Sequence, residues 1–317
     1  MKRYAALDIG TNTILLLIAE QTTDGRLQTI MDLETTTRLG EGLSKTRRIN
    51  PHSMQTSIHV IDRYLSLCRD KGVTKIVAVG TSALREAENR LDFLQRVRRR
   101  CGLEIDVISG QEEARLSYLA VAMDRKWSSA PLTVIDIGGG STEWVYGDST
   151  GEVRVFSKSI GSVRLTEQFL TSDPIDERQY RAMVRRVMRL LGNLPRLRKN
   201  AFLVGIGGTI TTLCSVKQGL NEFDPSRVHH GLLELKDIEE QIEQFKSLPL
   251  RERKAIAGLP PERADVILAG ATILLYSLLR FESDRIWISC HGLRFGILLD
   301  RFLKENPTCR VRQADRS

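Results

Sequence analysis

The sequence predicts an α/β protein built from two similar halves. Short apolar segments rich in β-branched residues alternate with longer segments whose apolar residues recur at helical spacing, which is typical of α/β domains. A strand–turn–strand pattern occurs twice, at 6–17 and at 134–145, and such self-similarity indicates a duplicated domain. We therefore expect one domain at 1–125 and a second at 126–317.

The second copy of this repeat carries the residue types of a phosphate and metal site. In chain order it contains Asp136, Gly138, Gly139, Gly140, Ser141, Thr142 and Glu143. Glycines permit positive φ and close approach, the N–H groups of such a turn can converge on an anion, and carboxylates are ligands for hard divalent cations. We expect phosphate binding by residues 138–141 and metal binding by Asp136 and Glu143. A plain hairpin is the alternative, and the repetition disfavours it.

The first copy has the same order, with Asp8 corresponding to Asp136 and Gly10 to Gly138. Its turn residues Thr11, Asn12 and Thr13 are therefore candidate phosphate ligands. Asp8 is a further candidate metal ligand, which could act through a water molecule.

A third glycine turn, formed by Gly207, Gly208 and Thr209, follows a strand and opens a helix. Free N–H groups at a helix N-terminus bind anions, so this turn is also predicted to bind phosphate.

The elements of the first half follow from apolar periodicity and from glycine and proline positions. They are a hairpin at 3–20, a strand at 27–33, a loop at 35–50, a helix from Pro51 to about 71, a strand at 75–80, a helix at 91–100 ending at Gly102, a strand at 103–109 and a helix at 112–123. The polar stretch 124–131 is the expected interdomain connection.

The second half repeats the plan. Its elements are a hairpin at 132–147, strands at 153–159, 201–205 and 285–289, and helices at 176–191, 209–217, 235–247, 263–280 and 293–303. The longest apolar run, 266–279, is too short to span a bilayer comfortably, so we expect a buried helix and no membrane association.

The charge balance favours anionic ligands. The net charge is +8 and the pI about 9.4, and a basic protein attracts polyanions. The helix at 176–191 is strongly basic, with Arg178, Arg181, Arg185, Arg186 and Arg189. Two interpretations stay open: a solvated outer face, or a track that guides a polyanion.

Cysteine and histidine positions argue against a zinc site or a disulfide framework. The five cysteines are widely spaced without a Cys-x-x-Cys pair, which fits a reducing cytoplasm. The N-terminus runs directly into a strand, so we expect no signal peptide. His229 and His230 lie near Asp224 in the sequence, which could indicate a metal site. Adjacent side chains rarely point the same way and no third ligand is evident, so we expect a loop pair.

Several motifs together resemble the exopolyphosphatase / guanosine pentaphosphate phosphohydrolase (Ppx/GppA) family, a relative of sugar kinases, actin and heat-shock chaperone ATPases. The matching stretches are 8–13, 38–42, 81–89, 109–115, 136–143, 207–209 and 262–265. The resemblance covers almost the whole chain. It implies two actin-like domains with an interdomain cleft, a Mg²⁺-dependent hydrolase in the cytoplasm and a homodimer, with no nucleic-acid partner.

The resemblance also implies roles for single residues. In the motif Ser-Gly-x-Glu-Glu-Ala-Arg the family's catalytic glutamate is the second of the pair, which matches Glu113. Arg85 and Arg38 lie in matched motifs and are expected to bind phosphate, since a guanidinium suits phosphate oxygens bidentately. Arg263 could bind phosphate or pair with Asp265. Phe295 stands where the family often has an acid, and Leu15 where it often has a basic residue.

The implied substrate is inorganic polyphosphate, from which terminal orthophosphate would be released. Removal of the 5′-phosphate from guanosine pentaphosphate is the nearest alternative, because the same loops and base would serve. An actin-fold ATPase or kinase and a non-enzymatic polyphosphate sensor are more distant alternatives.

Overall fold

The computed structural model describes residues 2–23, 26–127, 130–147, 152–198, 200–303 and 310–312. The chain forms two compact units. Unit 1 holds Met1–Ala120 and Leu293–Cys309, and unit 2 holds Val121–Gly292 and Arg310–Ser317.

Unit 1 is built on a five-stranded mixed sheet. Its strands are β1 (Arg3–Ile9), β2 (Thr13–Gln21), β3 (Leu27–Thr36), β4 (Lys75–Gly80) and β5 (Asp106–Val107), in the order β3-β2-β1-β4-β5. The first three form an antiparallel meander, and β4 and β5 continue it in parallel with β1. The helices are α1 (Leu43–Thr46), α2 (Pro51–Asp70), α3 (Ser82–Glu86), α4 (Arg90–Cys101), α5 (Gly110–Ala122) and α13 (Leu293–Phe302).

Two helices of unit 1, α2 and α5, begin where a side chain caps their first N–H groups. The Asn50 side chain accepts a hydrogen bond from the Ser53 N–H at the start of α2, and Pro51 occupies the first helical turn, where its missing N–H costs nothing. The Ser109 hydroxyl accepts the Glu112 N–H (3.1 Å) at the start of α5. This cap places the Glu112–Glu113 pair in the first turn of α5.

The last helix, α13, packs with unit 1 although it lies far along the chain. The rings of Tyr4 and Phe302 stack with centroids 4.2 Å apart. Arg294 makes two 2.7 Å hydrogen bonds to the Asp32 carboxylate. The sequence-based division at 125/126 kept this helix with the second half, whereas the compact units divide at 120/121 and again at 292/293.

Unit 2 contains a seven-stranded sheet with the same plan. Its strands are β6 (Leu132–Ile137), β7 (Thr142–Gly147), β8 (Glu152–Lys158), β9 (Phe202–Ile206), β10 (Leu232–Glu234), β11 (Arg285–Ile288) and β12 (Arg310–Arg312), in the order β10-β11-β9-β6-β7-β8-β12. An antiparallel β6-β7-β8 meander is again continued by parallel strands, β9 and β11. This repetition confirms the predicted α/β class with two similarly built domains.

The helices of unit 2 surround a large apolar core. They are α6 (Ser162–Phe169), α7 (Glu177–Leu191), α8 (Gly208–Lys217), α9 (Pro225–Val228), α10 (Leu235–Ser247), α11 (Leu250–Arg253) and α12 (Ile267–Phe281). Helix α12 is almost entirely buried, as the sequence predicts. None of the helices in the described part of the chain is long and apolar enough to cross a membrane.

Several elements differ from the sequence-based expectation: helix α1 lies within the loop expected at 35–50, and α9, β10 and α11 were not expected. The strand expected at 103–109 is reduced to Asp106–Val107. Helix α6 was not expected, because its eight residues form a short pattern. Its first N–H groups bind carbonyls of the glycine turn: Ser162 donates to Gly138 and Val163 to Gly139, both at 3.0 Å. These tertiary contacts stabilise a helix that the local sequence pattern does not predict.

Candidate active site

In the turn between β6 and β7, the backbone carbonyl groups already accept hydrogen bonds, whereas several backbone N–H groups remain available as donors. Besides the Ser162 and Val163 bonds, Gly139 O accepts the Arg164 N–H (3.1 Å) and Gly140 O accepts Arg164 Nε (2.9 Å). Helix α6 therefore occupies the carbonyl groups of this turn. No acceptor among the described residues receives the backbone N–H of Gly139, Gly140 or Ser141. Converging N–H groups of this kind suit an anion such as phosphate.

The glycine turn at 207–209 lies beside the turn at 138–141 within unit 2. Gly207 has φ of +86° and precedes α8, and a Cβ there would lie 2.8 Å from Oδ1 of Asp136. A Cβ at Gly208 would overlap the guanidinium of Arg263. Asp136, the N-terminus of α8 and Arg263 are therefore neighbours. No side chain in the described part of unit 2 caps α8, so its first N–H groups are available to an anion.

Asp136 and Glu143 are directly opposite each other on antiparallel β6 and β7. Glu143 is only 2% exposed, and its Oε1 accepts the Ser157 hydroxyl at 2.8 Å. Like charges directly opposite in a sheet destabilise it, and a divalent cation would offset the repulsion. The donors are carboxylate oxygens, which Mg²⁺ prefers. The two residues predicted as metal ligands in this unit thus fit such an ion.

The corresponding turn in unit 1 is held by the segment that follows β3. Thr37 and Arg38 donate their N–H groups to Asn12 O (both 2.9 Å), and Gly40 donates to Thr11 O (2.8 Å). Two predicted phosphate-binding motifs, 11–13 and 38–42, are therefore adjacent. The Nδ2 amide of Asn12 is buried and has no hydrogen-bond partner among the described residues, which is unusual for a buried donor.

Arg38 adopts φ of +50°, a left-handed conformation that costs free energy in a residue with a side chain and is concentrated at functional sites. Asp8 precedes the same turn by two residues on β1 and is half-buried. Unit 1 thus brings the predicted residues Asp8, Asn12 and Arg38 to one end of its sheet.

Glu113 and Arg85 form a close ion pair in unit 1. Arg85 Nη1 lies 2.6 Å from Glu113 Oε2 and also donates to Ile108 O at 3.1 Å. The Glu113 side chain is 13% exposed. Burial raises the pKa of Glu113, while the Arg85 guanidinium opposes that shift. A carboxylate whose pKa is moved toward neutrality suits general base catalysis.

Arg85 makes both contacts through Nη1, and its Nε and Nη2 have no hydrogen-bond acceptor among the described residues. The same guanidinium can therefore hold Glu113 and offer two further donors to a phosphate oxygen.

Glu112 has a different environment from its neighbour. Arg115 donates to both of its carboxylate oxygens at 2.9 Å and also binds Asp300 at 2.7 Å. The hydrogen bond from Arg115 lowers the pKa of Glu112. The ion pairs with Arg115 therefore give Glu112 a structural role.

Sequence reasoning missed two residues of the unit 2 site, Ser157 and Arg164. Ser157 is the cross-strand partner of Glu143 on β8, so the strand pattern together with the meander could have revealed it. Arg164 reaches Gly140 from α6, and no local signal in the sequence connects them.

Comparisons with known proteins agree with this organisation. A family model described as the Ppx/GppA phosphatase family matches residues 17–305. A Mycobacterium tuberculosis protein named exopolyphosphatase 2 is 33% identical over 315 residues, covering 94% of this chain and 98% of that protein. The crystal structure of the Aquifex aeolicus Ppx/GppA family member has a TM-score of 0.80 and 37% identity, covering 97% of this chain and 99% of that chain.

A longer relative also matches. The bifunctional 3-dehydroquinate synthase/phosphatase of Fusobacterium nucleatum is 31% identical over 312 residues, or 93% of this chain. The chain spans 46% of that protein's length.

Proposed function

The chain belongs to the Ppx/GppA phosphatase family, and we propose that it is an exopolyphosphatase that releases terminal orthophosphate from inorganic polyphosphate with the help of a divalent metal ion. The choice of substrate is supported chiefly by the relative named exopolyphosphatase 2, which aligns over nearly its whole length with this chain. The basic net charge of +8 is in keeping with a polyanionic substrate.

In the proposed reaction a water oxygen attacks the terminal phosphorus atom. The bond from that phosphorus to the bridging oxygen breaks, and the shortened chain leaves with the bridging oxygen as an anion. Glu113 accepts the proton of the attacking water and yields it to solvent after orthophosphate leaves. The raised pKa of Glu113, caused by burial, brings its basicity closer to the working pH.

Each unit has candidate donors for the negative charge of phosphate groups. The N–H groups of residues 139–141 and those at the start of α8 are candidate donors. They are fixed by the sheet and by α6, so they need no reorganisation during the reaction. The Arg85 guanidinium holds the base and has two donors left for phosphate oxygens.

Asp136 and Glu143 would hold Mg²⁺, which when bound supplies positive charge that neutralises phosphoryl oxygens. Ser157 donates to Glu143 and orients its carboxylate, and the backbone of Gly207 approaches Asp136 closely.

The experiment that tests the proposal compares substrates side by side. Purified protein with Mg²⁺ is given long polyphosphate, short polyphosphate, guanosine pentaphosphate or ATP, and orthophosphate release is measured. We expect the highest kcat/KM for long polyphosphate. A higher kcat/KM for guanosine pentaphosphate would replace the proposal with a pentaphosphate phosphohydrolase. Binding of polyphosphate without any turnover would indicate a sensor.

A further inference from the structure

Three imidazoles and one carboxylate gather in unit 2, apart from the residues assigned above. Asp124 Oδ2 lies 2.5 Å from Nε2 of His230 and 3.3 Å from Nε2 of His229. One side-chain ligand atom from each of these residues lies within 4.8 Å of the others. The ring of His291 packs on that of His229 with centroids 4.4 Å apart. The chain has only five histidines, so the cluster holds most of them.

The surroundings hold these side chains in place. The Lys126 N–H donates to Oδ1 of Asp124 at 3.0 Å, which leaves Oδ2 directed at the histidines. The His230 N–H donates to Ile288 O at 2.8 Å, and the His230 ring packs against Trp127 with centroids 5.5 Å apart. Contacts of this kind, which fix the orientation of ligands, are a property of metal sites.

We propose that Asp124, His229 and His230 bind a divalent transition-metal ion of the Zn²⁺ class. Two imidazole nitrogens and one carboxylate oxygen are ligands that Zn²⁺ and Co²⁺ prefer, whereas Mg²⁺ prefers oxygen ligands. The side chains of His229 and His230 are 20% and 37% exposed, so an ion can enter from solvent and keep water as a further ligand. This site differs in ligand type from the Mg²⁺ site proposed for Asp136 and Glu143.

The metal-free arrangement is a set of hydrogen bonds that the ion must replace. The Cys290 N–H donates to Nδ1 of His229 at 3.2 Å, so the proton of the neutral ring lies on Nε2, toward Asp124. Metal binding at Nε2 moves this proton to Nδ1 and turns the ring away from the Cys290 amide. The ion also replaces the short contact between His230 and Asp124. Occupancy therefore depends on pH, because the ligating nitrogens must be free of protons.

The position of the cluster means that a bound ion would join two segments that are distant in the sequence. Asp124 follows closely after the boundary at Ala120–Val121, and His291 adjoins the boundary at Gly292–Leu293. An ion at the cluster would tie the segment that carries Asp124 to the segment that carries His229 and His230. We therefore expect it to raise the thermal stability of the protein.

The test measures metal binding without substrate. Chelator-treated protein is titrated with Co²⁺ in excess Mg²⁺, and the visible absorption of low-coordinate Co²⁺ is recorded. The native protein should bind one Co²⁺ per chain with a rise in Tm, and Zn²⁺ should abolish the absorption. His230→Ala and Asp124→Asn should each weaken binding by at least about tenfold. His59→Ala is the matched control, because His59 is an exposed histidine on α2 of unit 1.

The proposal is overturned if the native protein shows no Co²⁺ absorption, or if the His230 and Asp124 variants bind Co²⁺ as tightly as His59→Ala does. The cluster is then only hydrogen-bonded. Asp124→Asn preserves side-chain shape and serves as the deciding variant if circular dichroism shows that His230→Ala does not fold.

Discussion

The Arg85 guanidinium lies 2.6 Å from the largely buried carboxylate of Glu113, while the adjacent Glu112 pairs with Arg115. The pKa values of these two neighbouring glutamates are therefore shifted in opposite directions. Burial raises the pKa of Glu113, and the hydrogen bond from Arg115 lowers that of Glu112. The raised value favours Glu113 as the base, and Glu112 serves as its natural control.

Glu113→Gln should lower kcat by roughly 10²–10⁴, the scale of one positioned acid–base group. KM should change little, because the phosphate-binding turns remain. Glu112→Gln makes the same chemical change one residue away and should retain nearly native kcat. Steady-state phosphate release distinguishes them. If the two variants lose activity equally, the different environments of Glu112 and Glu113 do not identify which of them is the base.

The same pair predicts how stability varies with pH. The folded pKa of Glu113 is raised, so its contribution to stability is present below its ordinary pKa and is lost as pH rises through the folded value. Glu113→Gln lacks this titration. The free energy of unfolding of Glu113→Gln, relative to that of the native protein, should therefore increase as pH rises above the ordinary glutamate pKa of about 4.3.

Glu112→Gln should show the opposite slope. The folded pKa of Glu112 is lowered, so its contribution is present above its ordinary pKa and is lost as pH falls through the folded value. Urea unfolding across the pH range measures both differences, and any change independent of pH cancels from the slope. Equal slopes for the two variants would contradict the assigned environments.

The opposed carboxylates of Asp136 and Glu143 predict a metal requirement. Glu143→Gln and Asp136→Asn should each raise the Mg²⁺ concentration needed for half-maximal activity by at least about tenfold, and chelator should abolish native turnover. Glu239→Gln, an exposed glutamate on α10, is the control. Full native activity in excess chelator would refute the metal assignment.

Local patterns explain why much of this fold could be predicted. The hairpins at Asp8 and Asp136 are recognisable because strand alternation and turn glycines lie within about a dozen residues. The motif at 109–115 predicts Glu113 as the base, and the capping of α5 by Ser109 explains why that motif lies in a first helical turn.

Long-range contacts explain what could not be predicted. Arg164 meets Gly140 through a helix whose start depends on the glycine turn itself. Asp124 meets His230 across more than a hundred residues. The sequence instead associates these histidines with Asp224, whose side chain accepts the Ser226 N–H at the start of α9.

The exposed arginines of helix α7 lead us to expect that KM for long polyphosphate depends more on salt than KM for a compact nucleotide. Its arginines at 178, 181, 185, 186 and 189 are all exposed, while the opposite face, at Tyr180, Met183 and Val187, is buried. Helix α7 is thus a cationic surface on one side of unit 2. A long phosphate chain contacts many cations at once, so its KM should rise steeply with salt through screening and counterion release, by analogy with nucleic acids.

Reversal of Arg181, Arg185 and Arg189 to Glu should raise KM for long polyphosphate and flatten its salt dependence, while KM for guanosine pentaphosphate stays nearly native, because a compact nucleotide contacts fewer cations. The matched control reverses Arg98, Arg99 and Arg100, which are exposed at the end of α4 in unit 1. Both triple variants change the net charge equally. Equal increases in KM would therefore mean that only overall charge matters, and no increase in the α7 variant would mean that this face is merely solvated. An increase confined to the α7 variant and to the long chain would identify α7 as the surface that holds the polyanion.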